Sequence, residues 1–198
     1  MTDHYAVIGN PIAFSKSPLI HGSFAAATGQ DIDYTKMEGP LGQFRETVDA
    51  FRARGGRGLN ITAPFKLDAY AYATEHSERA QLAGAANAMK FEGGRVIADN
   101  FDGVGLVRDV THNLGVALRG KRVLMLGAGG AARGALLPFL AEAPALLVIA
   151  NRTEEKAHAL AAIGADQGRV EAASYAALEG QTFDAVSYTH LRAHETRH

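Results

Sequence analysis

The segment from Lys121 to Thr153 constrains the fold of this chain more than any other part of the sequence. In order, it contains a buried-strand pattern, a tight glycine loop, a helix pattern rich in alanine and leucine, and a second buried strand: Arg122–Leu126, Gly127–Gly130, Ala131–Ala141 and Leu146–Ala150. Two parallel strands need a crossover connection, which is usually a helix, and such units build parallel sheets. The segment therefore predicts a βαβ unit within a parallel sheet.

Strand and helix patterns alternate along the rest of the chain. Strands are predicted at Tyr5–Ile8, Gly58–Thr62, Ala85–Phe91, Arg95–Asn100, Arg169–Ala172 and Phe183–Val186, and helices from Ser17, within Leu41–Phe51, after Pro64, within Val104–Leu114, at Glu154–Ile163 and at Tyr175–Leu178. Ser17 is expected to cap its helix, with Pro18 in the first helical position and Gly29 at the end. Thr153 is expected to cap Glu154–Ile163. The regular βαβαβ order of the second half predicts a domain boundary near Asp102.

Composition excludes several classes of protein. The 198 residues include 20 basic and 21 acidic side chains, so neither a nucleic acid nor a membrane surface is an expected partner. The chain has no cysteine, which excludes disulfides, thiol catalysis and cysteine-ligated metal. Its first apolar run, Tyr5–Ile8, is too short for a signal peptide, and no stretch has membrane-spanning length. A cytoplasmic protein is expected, and a homodimer is left open.

The glycine loop matches the dinucleotide fingerprint G-x-G-x-x-A. Gly127 would allow the tight turn, Gly129 would let the backbone approach a pyrophosphate, and Ala132 would let the helix pack against the strand. The helix N-terminus would supply amide donors to the phosphates. The alternative is an alanine-rich helix that only packs. Because the loop lies between a strand and a helix, dinucleotide binding is favoured.

The end of the second strand of this unit indicates which dinucleotide is bound. NAD sites usually have an acidic residue there, which holds the ribose 2′-hydroxyl. This chain has Asn151, Arg152 and Thr153 instead, and Lys156 follows one helical turn later. Arginine can pair with a 2′-phosphate, so NADP is the expected cofactor. The alternative is that Arg152 is only a solvated surface residue.

Three features of the first half have both a functional and a structural interpretation. Ser15 and Ser17 suit an anion beside a helix N-terminus, although Ser17 as a simple cap is the other interpretation. Lys66 follows a strand end and could donate a proton, whereas most lysines are solvated. Asp102 follows another polar strand end, where it could also cap a helix.

Taken in order, six motifs resemble the shikimate dehydrogenase family over residues 5–185. They are Gly9-Asn-Pro-Ile-Ala-Phe-Ser-Lys-Ser-Pro18, Asn60-Ile-Thr-Ala-Pro-Phe-Lys66, Gly84-Ala-Ala-Asn87, Asp99-Asn-Phe-Asp-Gly103, Gly127-Ala-Gly-Gly-Ala131 and Asn151-Arg-Thr153. The resemblance implies an N-terminal α/β substrate-binding domain at 1–101, followed by an incomplete Rossmann-type NADP-binding domain at 102–185. It also implies the reversible reduction of 3-dehydroshikimate to shikimate by NADPH, in aromatic amino-acid biosynthesis.

The same resemblance implies roles for individual residues. On the substrate side it implies carboxylate binding by Ser15 and Ser17, hydrogen bonds to the ring oxygens from Thr62, Asn87 and Asp102, and general acid/base chemistry by Lys66 paired with Asp102. On the cofactor side it implies pyrophosphate binding by Gly127, Ala128, Gly129, Gly130 and Ala131, contacts to the 2′-phosphate side from Asn151, Arg152, Thr153 and Lys156, and a cofactor contact from Glu78.

Two other functions stay open beside this one. A quinate/shikimate dehydrogenase that uses NAD is the nearest alternative, and Arg152 speaks against it. A non-catalytic cofactor-binding relative is the other, and the presence of both Lys66 and Asp102 argues against it. The chain also departs from the family at Phe101, where the family more often has threonine, and this is expected to alter the pocket wall.

The last residues, 186–198, do not continue the family pattern and show no strand or clear helix pattern. His190, His194 and His198 have i, i+4 spacing, but no carboxylate–histidine motif accompanies them, so no metal site is expected. Ser187–Thr196 resembles one reading frame of a sequencing-library adapter. The hypothesis is that 186–198 are a non-native tail that replaces the nicotinamide side of the sheet, which would leave the chain as given inactive.

Overall fold

The computed structural model of the protein describes residues 2–188 and divides into two units, Met1–Phe101 and Asp102–His198. Within the described part of the first unit, the strands are β1 (Asp3–Gly9), β2 (Ile32–Glu38), β3 (Gly56–Ile61), β4 (Glu75–His76), β5 (Ala88–Glu92) and β6 (Arg95–Asp99), and the helices are α1 (Ser17–Thr28), α2 (Phe44–Ala53), α3 (Lys66–Tyr72) and α4 (Glu78–Ala83). They form one sheet in the order β2-β1-β3-β5-β6-β4. β5 runs antiparallel to its neighbours, and the other pairs are parallel.

The two faces of this sheet are covered by different helices. Ala6 and Ile8 of β1 belong to a core that also contains Phe44 of α2 and Phe65, which precedes α3. Alternate residues of a strand face opposite sides, and Tyr5 lines a cleft on the other face together with residues of α1. The loop with Ser15 follows β1, and Thr62 follows β3. Because β1 and β3 are parallel neighbours, both motifs leave the sheet at the same end of the strands.

The second unit has the predicted parallel sheet. Its described elements are α5 (Asp102–Arg108), a π-helical segment (Asp109–Asn113), β7 (Arg122–Leu126), α6 (Gly130–Ala141), β8 (Leu146–Ala150), α7 (Glu154–Gly164), β9 (Val170–Ala173), a short 3-10 turn (Ala176–Leu178) and β10 (Ala185–Tyr188). The strand order is β10-β7-β8-β9, and every pair is parallel. Read from the other side this is 3-2-1-4 in sequence order, which corresponds to the first four strands of a Rossmann sheet.

The core of the second unit follows from the apolar runs of its strands. β8 is buried along its whole length, as expected for a strand covered on both faces. Val123 and Met125 of β7 pack with Leu136 and Phe139 of α6 in one apolar cluster. The parallel sheet predicted from the spacing of these runs is therefore confirmed.

The helix ends differ from the prediction in two places. Gly29 ends α1 in the left-handed conformation at φ 66°, as predicted. Ser17, however, is the first residue of α1, and Lys16 stands at the cap position without a side-chain cap. Thr153 occupies the cap position of α7 but makes no capping hydrogen bond. The prediction that Ser17 caps α1 is therefore wrong, because its hydroxyl is hydrogen-bonded to Ser15 instead.

The strand pattern also extends further than predicted. Val186, Ser187 and Tyr188 lie in β10 and pair in register with β7. Val186 belongs to the strand predicted at Phe183–Val186, and the expectation that the tail contains no strand is wrong for Ser187 and Tyr188. Residues 189–198, with His190, His194 and His198, lie outside the described residues. β2, which the sequence patterns do not predict, is an edge strand whose residues are half-buried or exposed.

Two general features of residues 2–188 bear on the class of protein. None of the helices in this range has both the length and the apolar character needed to cross a bilayer. Within the same range, no group of three or more histidine, aspartate or glutamate side chains is arranged to hold a metal ion.

Candidate functional site

A cleft of about 520 Å³ opens at the carboxyl ends of the strands in the second unit. The residues that line it are Leu126, Gly127, Ala128, Gly129, Asn151, Arg152, Thr153, Lys156, Tyr175 and Tyr188. Leu126 ends β7 and Tyr188 ends β10, so the cleft lies between the two neighbouring strands at which the strand order changes direction. Ligands of open α/β sheets bind at such a switch point.

The glycines of the loop differ in what requires them. Gly127 has φ 111°, which side chains other than glycine rarely adopt, and its N–H donates to the Ala150 carbonyl at 2.8 Å. Gly129 has ordinary extended backbone, and a Cβ there would meet no protein atom within 4 Å. Neither strain nor packing accounts for Gly129. The open space at this Cβ fits a pyrophosphate that approaches the backbone, so the loop fits a dinucleotide.

The helix behind the loop supplies the donors. Gly130 and Ala131 are the first two residues of α6, and neither is among the residues that line the cleft. Their backbone amides belong to the first turn of the helix, where N–H groups have no partner within the helix. The twelve-residue helix thus presents its positive end at the loop.

The charge of the cleft favours a phosphate over a ribose hydroxyl. Arg152 and Lys156 are exposed cations in its wall, and its described lining contains no aspartate or glutamate. The Asn151 amide donates to the Thr153 carbonyl at 2.8 Å, which fixes the turn between them. These positive charges attract a phosphate. The described lining has no carboxylate to accept a hydrogen bond from the ribose 2′-hydroxyl of NAD.

Two tyrosines of the cleft are not among the predicted site residues. Tyr175 follows β9, and Tyr188 ends β10 within the stretch that the sequence assigned to the tail. Both side chains are exposed, at 51% and 57% of their surface. Both residues lie at or just after the carboxyl end of a strand, and this position in the sequence could have indicated that they line the cleft.

In the first unit, backbone hydrogen bonds bring three predicted residues to one edge of the sheet. Thr62 N–H donates to the Ile8 carbonyl at 3.0 Å, and the Lys66 carbonyl accepts from Ala86 N–H at 2.9 Å. Asn87 follows Ala86, and its carbonyl accepts from Ile61 N–H at 2.8 Å. The ends of β1 and β3 therefore meet the turn before β5, and Thr62, Lys66 and Asn87 cluster there.

The side chains at this edge are held by close contacts. A Cβ on Gly9 would lie 2.5 Å from the Thr62 methyl group, so glycine is needed for Thr62 to pack there. The Oδ1 atom of Asn87 accepts from Phe101 N–H at 3.0 Å, which directs the amide NH₂ away from that bond. Asn100 is 4% exposed and donates from Nδ2 to the Ala85 carbonyl at 3.0 Å.

Ser15 and Ser17 belong to a small group of polar side chains. The Ser15 hydroxyl donates to Ser17 Oγ at 3.2 Å, and it accepts from Ser17 N–H at 3.3 Å. The Ser17 side chain lies close enough to the Tyr34 phenol to lower the pKa of that phenol, against the larger effect of burial. Tyr34 in turn donates to Asn60 Oδ1 at 2.6 Å. The predicted serines are thus brought together, and Tyr34 and Asn60 are members of the group that the prediction did not include.

An ionic cluster fixes the start of α4. Ser77 caps this helix by accepting from Ala80 N–H at 3.1 Å, and its hydroxyl donates to Asp99 at 2.5 Å. Arg79 contacts the same carboxylate through two nitrogens, at 3.1 and 2.5 Å. Burial opposes ionisation of Asp99, but the hydrogen bonds from Arg79, Ser77 and the Asn100 amide together hold the pKa of Asp99 below its ordinary value.

The two remaining predicted residues are exposed at helix starts. Glu78 is the first residue of α4, directly after the Ser77 cap. Asp102 is the first residue of α5, in the second unit. Arg79 also lies 4.9 Å above the Phe101 ring, so the residue at which the chain departs from the family motif is held by a cation–π contact.

The fold and the two sites define a dinucleotide-binding oxidoreductase of the α/β class with a Rossmann-type second unit. Residues 7–89 match the family described as "Shikimate dehydrogenase substrate binding domain". Residues 109–182 match the family described as "Shikimate / quinate 5-dehydrogenase".

Individual relatives agree with these matches. The "Shikimate dehydrogenase (NADP(+))" of Chromobacterium violaceum is 58% identical over 94% of this chain and 68% of its own length. The crystal structure of an Ael1 enzyme from Pseudomonas putida is also 58% identical, with a TM-score of 0.91 over 96% of this chain and 69% of the other. The shikimate 5-dehydrogenase of Thermus thermophilus, solved with NADP(H) and shikimate, is 30% identical, with a TM-score of 0.74 over 86% of this chain and 63% of the other.

The chain belongs to the shikimate dehydrogenase family, an NADP-dependent family of oxidoreductases that act on a CH–OH group. It spans about two thirds of the length of the Chromobacterium violaceum relative.

Proposed function

We propose that this protein catalyses the reversible reduction of 3-dehydroshikimate to shikimate by NADPH, in the biosynthesis of aromatic amino acids. The observation on which this rests most directly is the cluster of Thr62, Lys66 and Asn87 at one sheet edge, in a chain 58% identical to a shikimate dehydrogenase. Hydroxyl, ammonium and amide groups in one place suit a small, oxygen-rich, anionic ring.

The substrate would be oriented by hydrogen bonds at both ends. Ser15 and Ser17 would donate their hydroxyls to the carboxylate, and each lies close enough to the other to bind the same group. Thr62 and Asn87 would bond the ring oxygens, with Asp102 accepting from a ring hydroxyl. The fixed Oδ1 of Asn87 supports this role, because its NH₂ group is then directed as a donor.

Lys66 is proposed as the general acid and base. NADPH would supply the hydride to the ketone carbon. Lys66 would donate a proton to the ketone oxygen as negative charge develops there, and it would accept the proton back in the oxidation direction. Asp102 would orient Lys66 and balance its charge. The Lys66 carbonyl accepts a hydrogen bond from Ala86 N–H, which supports a fixed position for the backbone from which this side chain extends.

The cofactor would lie in the cleft of the second unit. Gly127, Ala128, Gly129, Gly130 and Ala131 would bind the pyrophosphate through the loop and the helix start. Arg152, Thr153, Lys156 and Asn151 would bind the 2′-phosphate side. The two cations in the cleft wall support NADP as the bound form. Glu78 would contact the cofactor from the first unit.

The two units would divide the reaction between them. Residues 1–101 would bind the substrate, and residues 102–185 would bind the cofactor. This division is supported by the location of Ser15 and Ser17 in the first unit and of the glycine loop in the second. We further propose a cytoplasmic enzyme whose partners are small molecules, with neither nucleic acid nor membrane among them. We also propose a homodimer, and analytical ultracentrifugation would test it by measuring the mass in solution.

An assay with two substrates and two cofactors tests this function. Because the curated relatives are longer than this chain, the assay uses the 198-residue chain and an extended protein, in which residues 1–185 are followed by the remaining third of the Chromobacterium violaceum relative. We expect the extended protein to oxidise NADPH with 3-dehydroshikimate and to prefer NADPH over NADH. A folded extended protein that reduces only 3-dehydroquinate, or neither acid, would contradict the proposal.

A further inference from the structure

Tyr34 connects the two serines to the strand that bears Asn60. Its hydroxyl donates to Asn60 Oδ1 at 2.6 Å. The Ser17 side chain lies close enough to the phenol to lower its pKa, against the larger effect of burial. Ser17 in turn accepts from Ser15. Two hydrogen-bonded pairs, Ser15 with Ser17 and Tyr34 with Asn60, thus lie beside each other, between the start of α1 and the end of β3.

We propose that Tyr34 is a positioning residue, which orients the Ser17 hydroxyl and the Asn60 amide before the substrate binds. This inference rests on the proposed function, because it assigns Tyr34 to the same substrate site. Tyr34 itself would not touch the substrate. It would act by limiting the rotamers of Ser17 and by fixing which end of the Asn60 amide is the donor.

The environment of Tyr34 keeps its hydroxyl available as a donor. Burial, opposed weakly by the Ser17 side chain, raises the pKa of Tyr34 to about 12, so the phenol stays protonated at neutral pH. The imidazole of His21 stacks on the ring with centroids 4.4 Å apart and planes inclined by 5°. Burial lowers the pKa of His21, so a neutral ring holds the phenol in place at neutral pH.

The bond from Tyr34 decides the polarity of the Asn60 amide. An amide whose Oδ1 accepts from the protein has its two N–H donors left for a ligand. Asn60 lies at the end of β3, and Thr62 follows two positions later, directly after the strand. A donor from Asn60 would thus act beside the Thr62 hydroxyl. Removal of the Tyr34 hydroxyl would let the Asn60 amide turn and would let Ser17 leave its rotamer.

Ordering these two groups before binding raises affinity, because the complex then forms without the entropy cost of fixing them. Tyr34→Phe removes only the hydroxyl and retains the ring that stacks on His21. Tyr5→Phe is the matched control. Tyr5 is the cross-strand partner of Tyr34 and lines the same cleft, and its hydroxyl has no hydrogen bond to a side chain within residues 2–188.

The test is calorimetric titration of shikimate into the 198-residue chain. We expect Tyr34→Phe to raise the dissociation constant about tenfold, the effect of one hydrogen bond, and Tyr5→Phe to change it less than twofold. Ser17→Ala should also weaken binding, and Tyr34→Phe added to Ser17→Ala should weaken it by less than tenfold more, since part of the effect passes through Ser17. Unchanged affinity in Tyr34→Phe would overturn the inference.

A second measurement separates this inference from the proposed function. The side-chain amide resonances of Asn60 are recorded by NMR without any ligand, in the original chain and in both tyrosine variants. We expect them to move in Tyr34→Phe and to stay in Tyr5→Phe. If the original chain bound no shikimate, the resonances would still decide the role of Tyr34, and the assay of the extended protein would separately decide the proposed substrate. Resonances of Asn60 that stay unchanged in Tyr34→Phe would overturn that role.

Discussion

A Cβ atom on Gly103 would lie 2.1 Å from the carbonyl oxygen of Gly134, so α5 and α6 touch backbone to backbone at this point. We expect Gly103→Ala to lower the free energy of unfolding of the second unit by about 2 kcal/mol, because a packed backbone cannot move aside for a methyl group. Urea unfolding followed by circular dichroism measures this change.

The neighbouring glycine of α5 is the control. A Cβ on Gly105 would meet no atom within 4 Å, so Gly105→Ala should leave stability unchanged or raise it by about 0.5–1 kcal/mol through helix propensity. Equal effects of the two substitutions would show that the close approach of α5 and α6 is not what requires Gly103.

The ion pair of Asp99 with Arg79 makes the stability of the first unit depend on pH. The folded pKa of Asp99 lies below its ordinary value of 3.8, so its contribution is present above that pH and is lost as the pH falls through the folded pKa. We expect Asp99→Asn to lower the free energy of unfolding by about 1 kcal/mol at pH 6. The effect is modest because Arg79 is half-exposed and solvent screens the ion pair. The difference from the original chain should shrink toward pH 3. A difference that stays constant over this range in urea unfolding would contradict the assignment.

Arg152 should discriminate between the two nicotinamide cofactors. We expect Arg152→Ala to weaken NADPH binding by about 10- to 100-fold, the effect of losing a hydrogen-bonded ion pair with the 2′-phosphate, and to leave NADH binding unchanged. Quenching of cofactor fluorescence by the 198-residue chain measures both dissociation constants. Arg169→Ala is the control, because Arg169 pairs with Glu171 and does not line the cleft. Equal losses for NADPH and NADH would mean that Arg152 does not contact the 2′-phosphate.

The sequence predicts the second unit more completely than the first. β7, α6 and β8 follow directly from buried apolar runs separated by glycine, and their parallel order needs no further information. The edge strand β2 has no such run, because its residues are half-buried or exposed. Edge strands are held by pairing with a neighbour, which a local pattern does not contain.

The candidate site is predictable where residues are close in sequence and unpredictable where they meet through the fold. Ser15 and Ser17 are two positions apart, and the glycine loop is continuous. Tyr34 reaches Asn60 across 26 residues, and Tyr188 reaches the cleft only because β10 pairs with β7. The predicted Ser17 cap is wrong for a related reason. A local sequence pattern predicts the cap, but in the fold the Ser17 side chain contacts Ser15 and lies beside Tyr34.

The central claim is that Lys66 transfers the proton in an NADPH-dependent reduction of 3-dehydroshikimate. The most direct test is the turnover number of the extended protein with Lys66→Ala, measured beside its NADPH dissociation constant. Lys90→Ala serves as the control, because Lys90 is exposed and paired with Glu92. We predict that Lys66→Ala lowers kcat by about 10²- to 10⁴-fold and leaves NADPH binding within twofold of the original. Near-normal turnover in Lys66→Ala would contradict the account.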